Sequence, residues 1–464
     1  MKVSVITLGC DKNTVDSERY LAQLADHGAE PVTEAADADV VIVNTCGFID
    51  AAKAESIDAI VQAGQLKQAG TVKAVVALGC MVQRHKDELV EALPEIDLFL
   101  KTSEVDRLIP ELEARGLITD APVIHPGVRL FTGGLAHVRY LKVSEGCDHG
   151  CAFCAIPLMR GKHRSFSLDD VVREAQLLEG QGARELNLVA QDLAHYGRDV
   201  RDGRGLPELL EALLAETSVP WLRLLYIYAT GLTPRLLELM AREPRILPYL
   251  DMPMQHASDE VLKRMRRPER QATIRERVAK IRELVPDVAI RTTCIVGFPG
   301  ETEQDFQQLL DFLEETQFER VGAFTYSPQE GTRAFDMADD VPDDVKQARL
   351  ERLTELQRYI TADRYERHIG RTVRAMVDRV DADRTVQART VWQGDDIDGV
   401  TWLDTGALAV IPGTIVTARI TEVVDDYDFA ASLVGIESAP PLAGPPRAAR
   451  TLPVMGTTIG SFGR

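Results

Sequence analysis

Positive charge is in short supply: 53 Lys and Arg face 72 Asp and Glu, for a net charge of −19. A chain that coats nucleic acid by counterion release needs a broad cationic face, so this balance argues against DNA and suits a basic protein partner. Long apolar runs are missing too. No uninterrupted stretch approaches about 18 residues, and MKVSVITLGC enters a strand-like run without the basic segment, apolar core and small-residue cleavage site of a signal peptide. These absences predict a cytoplasmic protein with no membrane partner. Cysteine is sparse, seven in 464 residues, too few for a disulfide scaffold; in a reducing compartment their spacing reports metal or redox chemistry. A hydrophobic share of 45% is ordinary for globular cores, which excludes disorder of the whole, and the length suggests about three domains.

Residues 1–120 alternate short apolar runs with amphipathic stretches, which predicts an α/β domain with a parallel sheet. VSVITLGC, ADVVIVNTCGF and KAVVALGC carry Cys10, Cys46 and Cys80, 36 and 34 residues apart. Each cysteine is expected at the carboxyl end of its strand, where an open parallel sheet has its ligand crevice. Cys46 also precedes a helix beginning near Asp50, with Ile57, Ile60 and Val61 on one face, and a helix N-terminus favours thiolate. Three buried core cysteines are the alternative.

A Pro- and Gly-bearing connection at 121–134 leads to a second region, 133–365. It holds six strand candidates: RYLKVSEGC, ELNLVAQD, WLRLLYIY, LPYLDMPMQ, AIRTTCIVGF and ERVGAFTYS. Helical patterns fill the gaps, with start signals at Ser167–Asp170 and Thr302–Asp305. Six strand-and-helix units predict a partial TIM-like (β/α)6 barrel whose working end is the carboxyl end of its strands; a flat doubly wound sheet is the alternative. Over 368–434 the period changes to two, in TVRAMVDRV, VQARTVW, GVTWL and TIVTARITEVV, which predicts a small antiparallel β-barrel. Residues 371–430 hold six Arg and eleven Asp or Glu. Asp381, Asp383, Asp395, Asp396 and Asp398 are expected in solvated turns, placed to steer a cationic partner. Residues 438–464 carry five Pro and four Gly with few large apolar side chains, the composition of a disordered tail.

The segment EGCDHGCAFCAIPLMRGKHRS sets Cys147, Cys151 and Cys154 in a C-x3-C-x2-C loop where the first barrel strand ends. Three thiolates in a compact loop can hold three irons of a 4Fe-4S cluster and leave the fourth open. A structural zinc would want a fourth ligand, which His149 or His163 could supply, but no second C-x2-C knuckle exists. The loop resembles the radical S-adenosylmethionine superfamily, whose open iron is chelated by the cofactor. NTCGFIDAAKAES, the trio Cys10, Cys46 and Cys80, AQDLAHYG and the C-terminal β module together resemble the methylthiotransferases. That resemblance implies a second, auxiliary 4Fe-4S cluster on the N-terminal trio and a C-terminal TRAM barrel that recognises the substrate. NTCGFIDAA, Asp192 and Tyr196 of QDLAHYG, and ILPYLDMPMQHAS look like the branch that modifies an aspartate of small-subunit ribosomal protein twelve. The branch acting on adenosine derivatives of transfer RNA more typically shows NTCSIRE and QNVNAY. The implied chemistry is methylthio transfer to the β-carbon of that aspartate, with an external reductant such as flavodoxin or ferredoxin and a sulfur donor as partners. A non-catalytic iron-sulfur sensor is the alternative from another class.

Further residues are candidates for the cofactor. Gly297 and Glu301 in IVGFPGE form a strand-to-helix turn at the working end, where exposed amides could contact the adenosyl group, or simply begin a helix. Arg160 and Arg164 could pair with a carboxylate of cofactor or substrate, or stand as solvated loop charges. Gln191 ends the second strand and faces the same end. His256 reads as a hydrogen-bonded histidine in a polar turn, and Cys294 as a packing residue.

Overall fold

The computed structural model describes residues 1–118 and 129–440. The expected linker residues 121–128 and tail residues 441–464 lie outside them.

The N-terminal unit alternates β1 (Lys2–Thr7), α1 (Asp11–Asp26), β2 (Glu30–Pro31), β3 (Val40–Thr45), α2 (Asp50–Gln68), β4 (Ala74–Gly79), α3 (Cys80–Ala92), β5 (Leu98–Lys101) and α4 (Leu108–Ala114). Its sheet order is β2-β1-β3-β4-β5, parallel throughout. VVIVNT and AVVALG are buried at every position because the two central strands are covered on both faces by separate apolar clusters. On α2, Ile60 is fully buried, whereas Ile57 is exposed, so the apolar face expected there is narrower and is completed by Ser56, Ala63 and Gly64.

The second unit runs β6 (Val138–Lys142), β7 (Ser144–Glu145), α5 (Ile156–Arg160), β8 (Arg164–Ser165), α6 (Leu168–Gly180), β9 (Glu185–Val189), α7 (Leu206–Glu216), β10 (Trp221–Leu224), α8 (Pro234–Arg242), β11 (Ile246–Asp251), α9 (Asp259–Arg264), α10 (Gln271–Leu284), β12 (Ala289–Val296), α11 (Glu303–Thr316), β13 (Arg320–Thr325) and α12 (Asp343–Glu366). Six parallel strands lie in the order β13-β12-β11-β10-β9-β6, so the sheet grows by one neighbour at a time without reversal. This is the partial (β/α)6 barrel, and the flat doubly wound alternative falls because its strand order would reverse. Ser167 and Thr302 cap α6 and α11 by accepting the amides of Asp170 and Asp305.

The third unit is a closed barrel, β14-β15-β16-β18-β17, of β14 (Thr372–Val380), β15 (Val386–Thr390), β16 (Thr401–Asp404), β17 (Ile415–Val424) and β18 (Asp428–Ser438). Its pairs are antiparallel except β16 with β18, which closes the barrel in parallel. Strand β18 carries the module through Ser438, past the boundary expected at 434. The barrel is seated on the inner face of the second unit, where Trp221, Leu247 and Tyr249 pack with Val391, Trp392 and Phe429. Glu185, Arg223, Arg389 and Asp378 form a buried ion-pair chain across that contact. Asp398 is buried against Tyr249 and Gly394, and Asp395 is half-buried, so neither is the solvated steering charge expected from sequence; Asp381, Asp383 and Asp396 are exposed. Among the described residues no helix is long and apolar enough to cross a membrane.

Candidate active site

Two groups of three cysteines stand at the carboxyl ends of two parallel sheets. In the N-terminal unit, Cys46 follows β3 directly, Cys80 opens α3, and Cys10 ends the loop after β1. Two glycines bring them together. A Cβ on Gly9 (φ +89°) would lie 2.6 Å from Cys46 Cβ and 2.7 Å from its sulfur, and one on Gly79 (φ +104°) would lie 2.5 Å from Asn44 Oδ1 and 2.7 Å from the Thr45 carbonyl. Both positions therefore exclude a side chain by conformation and by space. In the second unit, Cys147, Cys151 and Cys154 occupy the loop between β7 and α5.

Backbone amides are directed at three of the sulfurs. Cys46, Cys147 and Cys154 each accept the amide two residues on, from Phe48, His149 and Ile156. Within each trio the charges oppose one another. Burial pushes the Cys46 thiol up to about 12, Cys80 and Cys147 to about 11 and Cys154 to about 12. The lowered thiol pKa expected for Cys46 at the start of α2 is thus overridden by burial beside Cys10. Clustered thiols with directed amides and little exposure, Cys10 being the exposed member, are a poor place for free thiolates and fit thiolates bonded to metal. Cys294 is fully exposed to none of this; it is buried in the core on the other side of its strand.

His149 does not stand free as a ligand. Its Nε2 is 2.7 Å from Asp192 Oδ2, and its ring stacks on Tyr228 at 3.9 Å and on His195 at 4.4 Å. His163 is held by Ser165 at 3.1 Å. The Tyr228 hydroxyl lies 3.3 Å from Cys151 Sγ, with the Arg267 guanidinium 4.0 Å over the same ring. Tyr226 and Gln255, just past β10 and β11, adopt left-handed φ of 60° and 73°, the backbone strain that gathers at functional sites. Tyr226 carries Lys12 Nζ 3.5 Å over its ring and lies 3.4 Å from Asp11, while Arg291 pairs with Asp251 at 3.0 Å nearby.

The cofactor candidates separate on these coordinates. Gln191 Nε2 donates to Glu145 at 2.8 Å, and its Oε1 is buried with no partner among the described residues, an acceptor available to a ligand's amino or hydroxyl group. Gly297 and Glu301 are committed to each other instead. Glu301 accepts the amides of Gly297 at 2.9 Å and Phe298 at 3.2 Å and pairs with Arg349 at 2.9 Å, so those amides are not free for an adenosyl group. His256 is buried, accepting the Ser258 amide at 2.9 Å, as its turn implied. Arg164 is exposed. Arg160 is buried, but it faces the N-terminal trio: Nε donates to Cys80 Sγ at 3.2 Å and Nη1 to Asp16 at 2.6 Å and Glu145 at 3.2 Å.

Sequence reasoning missed the polar network around Arg160. Lys12, Asn13, Asp16, Ser17 and Glu18 on α1 are buried although polar, and α1 packs them against β6, where Lys142 pairs with Asp16 and, at 2.7 Å, with Glu145. Burial raises Asp16, but Lys142 and Arg160 outweigh it and bring the carboxyl down to about 2. The signal was a helix directly after Cys10 whose polar residues recur at helical spacing with too few apolar residues to cover the sheet. Across the mouth, Asp50 accepts from Ser327 at 3.0 Å and Arg84 from α3 reaches Gln329 at 3.1 Å, so the N-terminal unit bridges both ends of the open barrel.

A parallel partial barrel with three cysteines in the loop after its first strand defines the class. Residues 141–313 match the radical SAM superfamily, 2–101 the uncharacterized protein family UPF0004, and 369–434 the TRAM domain. Among solved structures, the radical S-adenosylmethionine methyltransferase TsrM from Kitasatospora setae, with cobalamin and a [4Fe-4S] cluster bound, shares the fold at a TM-score of 0.52 and 14% identity, covering 70% of this chain and 76% of that one. Relatives called ribosomal protein uS12 methylthiotransferase RimO are far nearer in sequence. The one from Anaeromyxobacter sp. (strain Fw109-5) is 44% identical over 97% of this chain and 96% of its own length, and that from Geobacter sulfurreducens 41% identical over 93% and 98%. The chain belongs to the RimO family of radical SAM methylthiotransferases.

Proposed function

We propose that this chain places a methylthio group on the β-carbon of an aspartate in small-subunit ribosomal protein uS12, working in the cytoplasm with two 4Fe-4S clusters and S-adenosylmethionine. The observation that carries the reading is the meeting of the two cysteine trios: Cys80 packs on Ala155, Met159 and Ile156, the residues that follow Cys154. The relatives' names and their coverage of nearly the whole chain supply the substrate. When bound, a cluster on Cys147, Cys151 and Cys154 would supply the electron that cleaves S-adenosylmethionine, and one on Cys10, Cys46 and Cys80 the sulfur to be transferred.

The chain's own residues do the remaining work. Each trio supplies three thiolates, which leaves one coordination position for cofactor or sulfur. Gln191 Oε1 offers the cofactor an acceptor beside Glu145. Lys12 and Tyr226, engaged here with each other and with Asp11, and Arg291, engaged with Asp251, bring cationic and hydroxyl groups to the barrel mouth near Cys10, where a substrate carboxylate would compete with those two aspartates. An external flavodoxin or ferredoxin delivers electrons, and a separate donor replaces the sulfur.

Anaerobically reconstituted protein should hold about eight irons on this count. Changing Cys147, Cys151 and Cys154 together to Ala should leave about half the iron and abolish S-adenosylmethionine cleavage, whereas changing Cys10, Cys46 and Cys80 to Ala should leave cleavage and stop methylthio transfer. Product formation by the second variant, or cleavage by the first, contradicts the assignment.

A further inference from the structure

Arg160 belongs by sequence to one cysteine trio and by contact to the other. It lies six residues after Cys154, at the end of α5, yet its Nε–H donates to Cys80 Sγ at 3.2 Å. The guanidinium is clamped on its remaining sides. Nη1 donates to Asp16 Oδ2 at 2.6 Å and Glu145 Oε2 at 3.2 Å, and Nη2 donates to Asn13 Oδ1. Its side chain is 7% exposed.

We infer that Arg160 is a positioning residue that sets the reduction potential of the N-terminal cysteine centre through a fixed N–H···S hydrogen bond to Cys80. This rests on the reading that each trio holds a cluster. Adding an electron to an iron-sulfur cluster puts negative charge on its thiolates, and a donor already aimed at a sulfur stabilises the reduced form without reorganising, which raises the potential. Burial keeps water from replacing the donor. The charges around it fix the sign. Lys142 and Arg160 balance Asp16 and Glu145, so removing Arg160 takes away the donor and leaves excess carboxylate charge beside the sulfur. Both changes favour the oxidised form. A lysine is a point charge on a flexible stem and cannot serve Cys80, Asp16 and Asn13 together, so it recovers part of the effect.

Because α5 packs on Cys80 and begins two residues after Cys154, the same bond ties the geometry of the barrel loop to that of the N-terminal centre. A residue that merely latched the two units together would leave the potential where it was.

The test uses the full chain carrying Cys147, Cys151 and Cys154→Ala, so that the N-terminal centre alone is read, reconstituted anaerobically and titrated by electron paramagnetic resonance. Adding Arg160→Gln should shift the midpoint to more negative potential at equal iron content, with Arg160→Lys between. Asp16→Asn, which keeps the N–H···S bond and removes a negative charge, should shift it the opposite way and serves if Arg160→Gln loses its cluster. A midpoint unmoved by Arg160→Gln at equal iron, or moved more negative by Asp16→Asn, overturns the inference alone. A parent variant that takes up no iron overturns the two-cluster reading and the inference with it.

Discussion

Asp395 is a carboxyl placed where its charge is unwelcome. Burial, with Asp396, Asp378 and Glu185 nearby, pushes it up to about 7 against the opposing pull of Arg389. An acid whose folded value lies above its unfolded one favours folding below the unfolded value, near pH 4, and loses that contribution as pH climbs to about 7. Asp395→Asn should therefore be more stable than the parent at pH 8, by roughly 1–3 kcal/mol after allowance for partial solvation, with the gap closing toward pH 4. Denaturant unfolding at the two pH values measures this, and an equal gap at both would mean the side chain is solvated after all. The same residue marks the limit of sequence reading at this scale. GDDID has the composition of a solvated turn, and nothing in it says that the inner wall of the neighbouring barrel will cover Asp395 and Asp398. Cys10, Cys46 and Cys80 were legible because each follows a strand-forming run at a similar interval, and Cys147, Cys151 and Cys154 because their spacing packs three thiols into one short loop. Arg160 was legible as a partner for a carboxylate or as a solvated loop charge but not as a donor to sulfur, since its partners Asn13, Asp16 and Cys80 lie 80 or more residues away in the chain.

The elements that sequence pattern located best are those with continuous apolar runs. All six barrel strands lie on the expected segments, with β6 and β11 each beginning one residue earlier, because strands covered on both faces read as Val, Leu and Ile; only β13 is partly buried along its length. The elements it missed have another composition. β2 has two residues and β5 four, too short to show a period, and β18 reads DFAASLVGIES, where Ala, Ser and Gly dilute the β-branched signal. Yet β18 closes the C-terminal barrel, and its Phe429 is fully buried, stacked on Tyr365 of α12 at 4.5 Å. Phe429→Ala should cost about 3–5 kcal/mol of that module's stability, the usual range for a large aromatic removed from a core. Calorimetry with iron analysis checks it: the C-terminal transition should fall while bound iron stays at the parent level. A loss of iron in step with the transition would mean that the barrel supports the cysteine sites directly.

At the scale of the molecule, two parallel sheets present their carboxyl ends to one another, and the third unit seals the inner face of the larger one. A parallel sheet collects its loops at that end, so facing two such ends brings both cysteine trios into one space without a connecting motif. A net charge of −19 suits attraction of a basic partner over distance rather than through the turn around Asp395, and the exposed Asp381, Asp383 and Asp396 belong to that acidic surface. The central claim, methylthio transfer to an aspartate of the ribosomal protein, is tested most directly by mass spectrometry of small-subunit ribosomal proteins and transfer RNA from cells with and without this chain. The account predicts that deletion removes a methylthio mark from an aspartate of uS12 and leaves transfer RNA unchanged. An intact mark on uS12 together with methylthio groups missing from transfer RNA would contradict it.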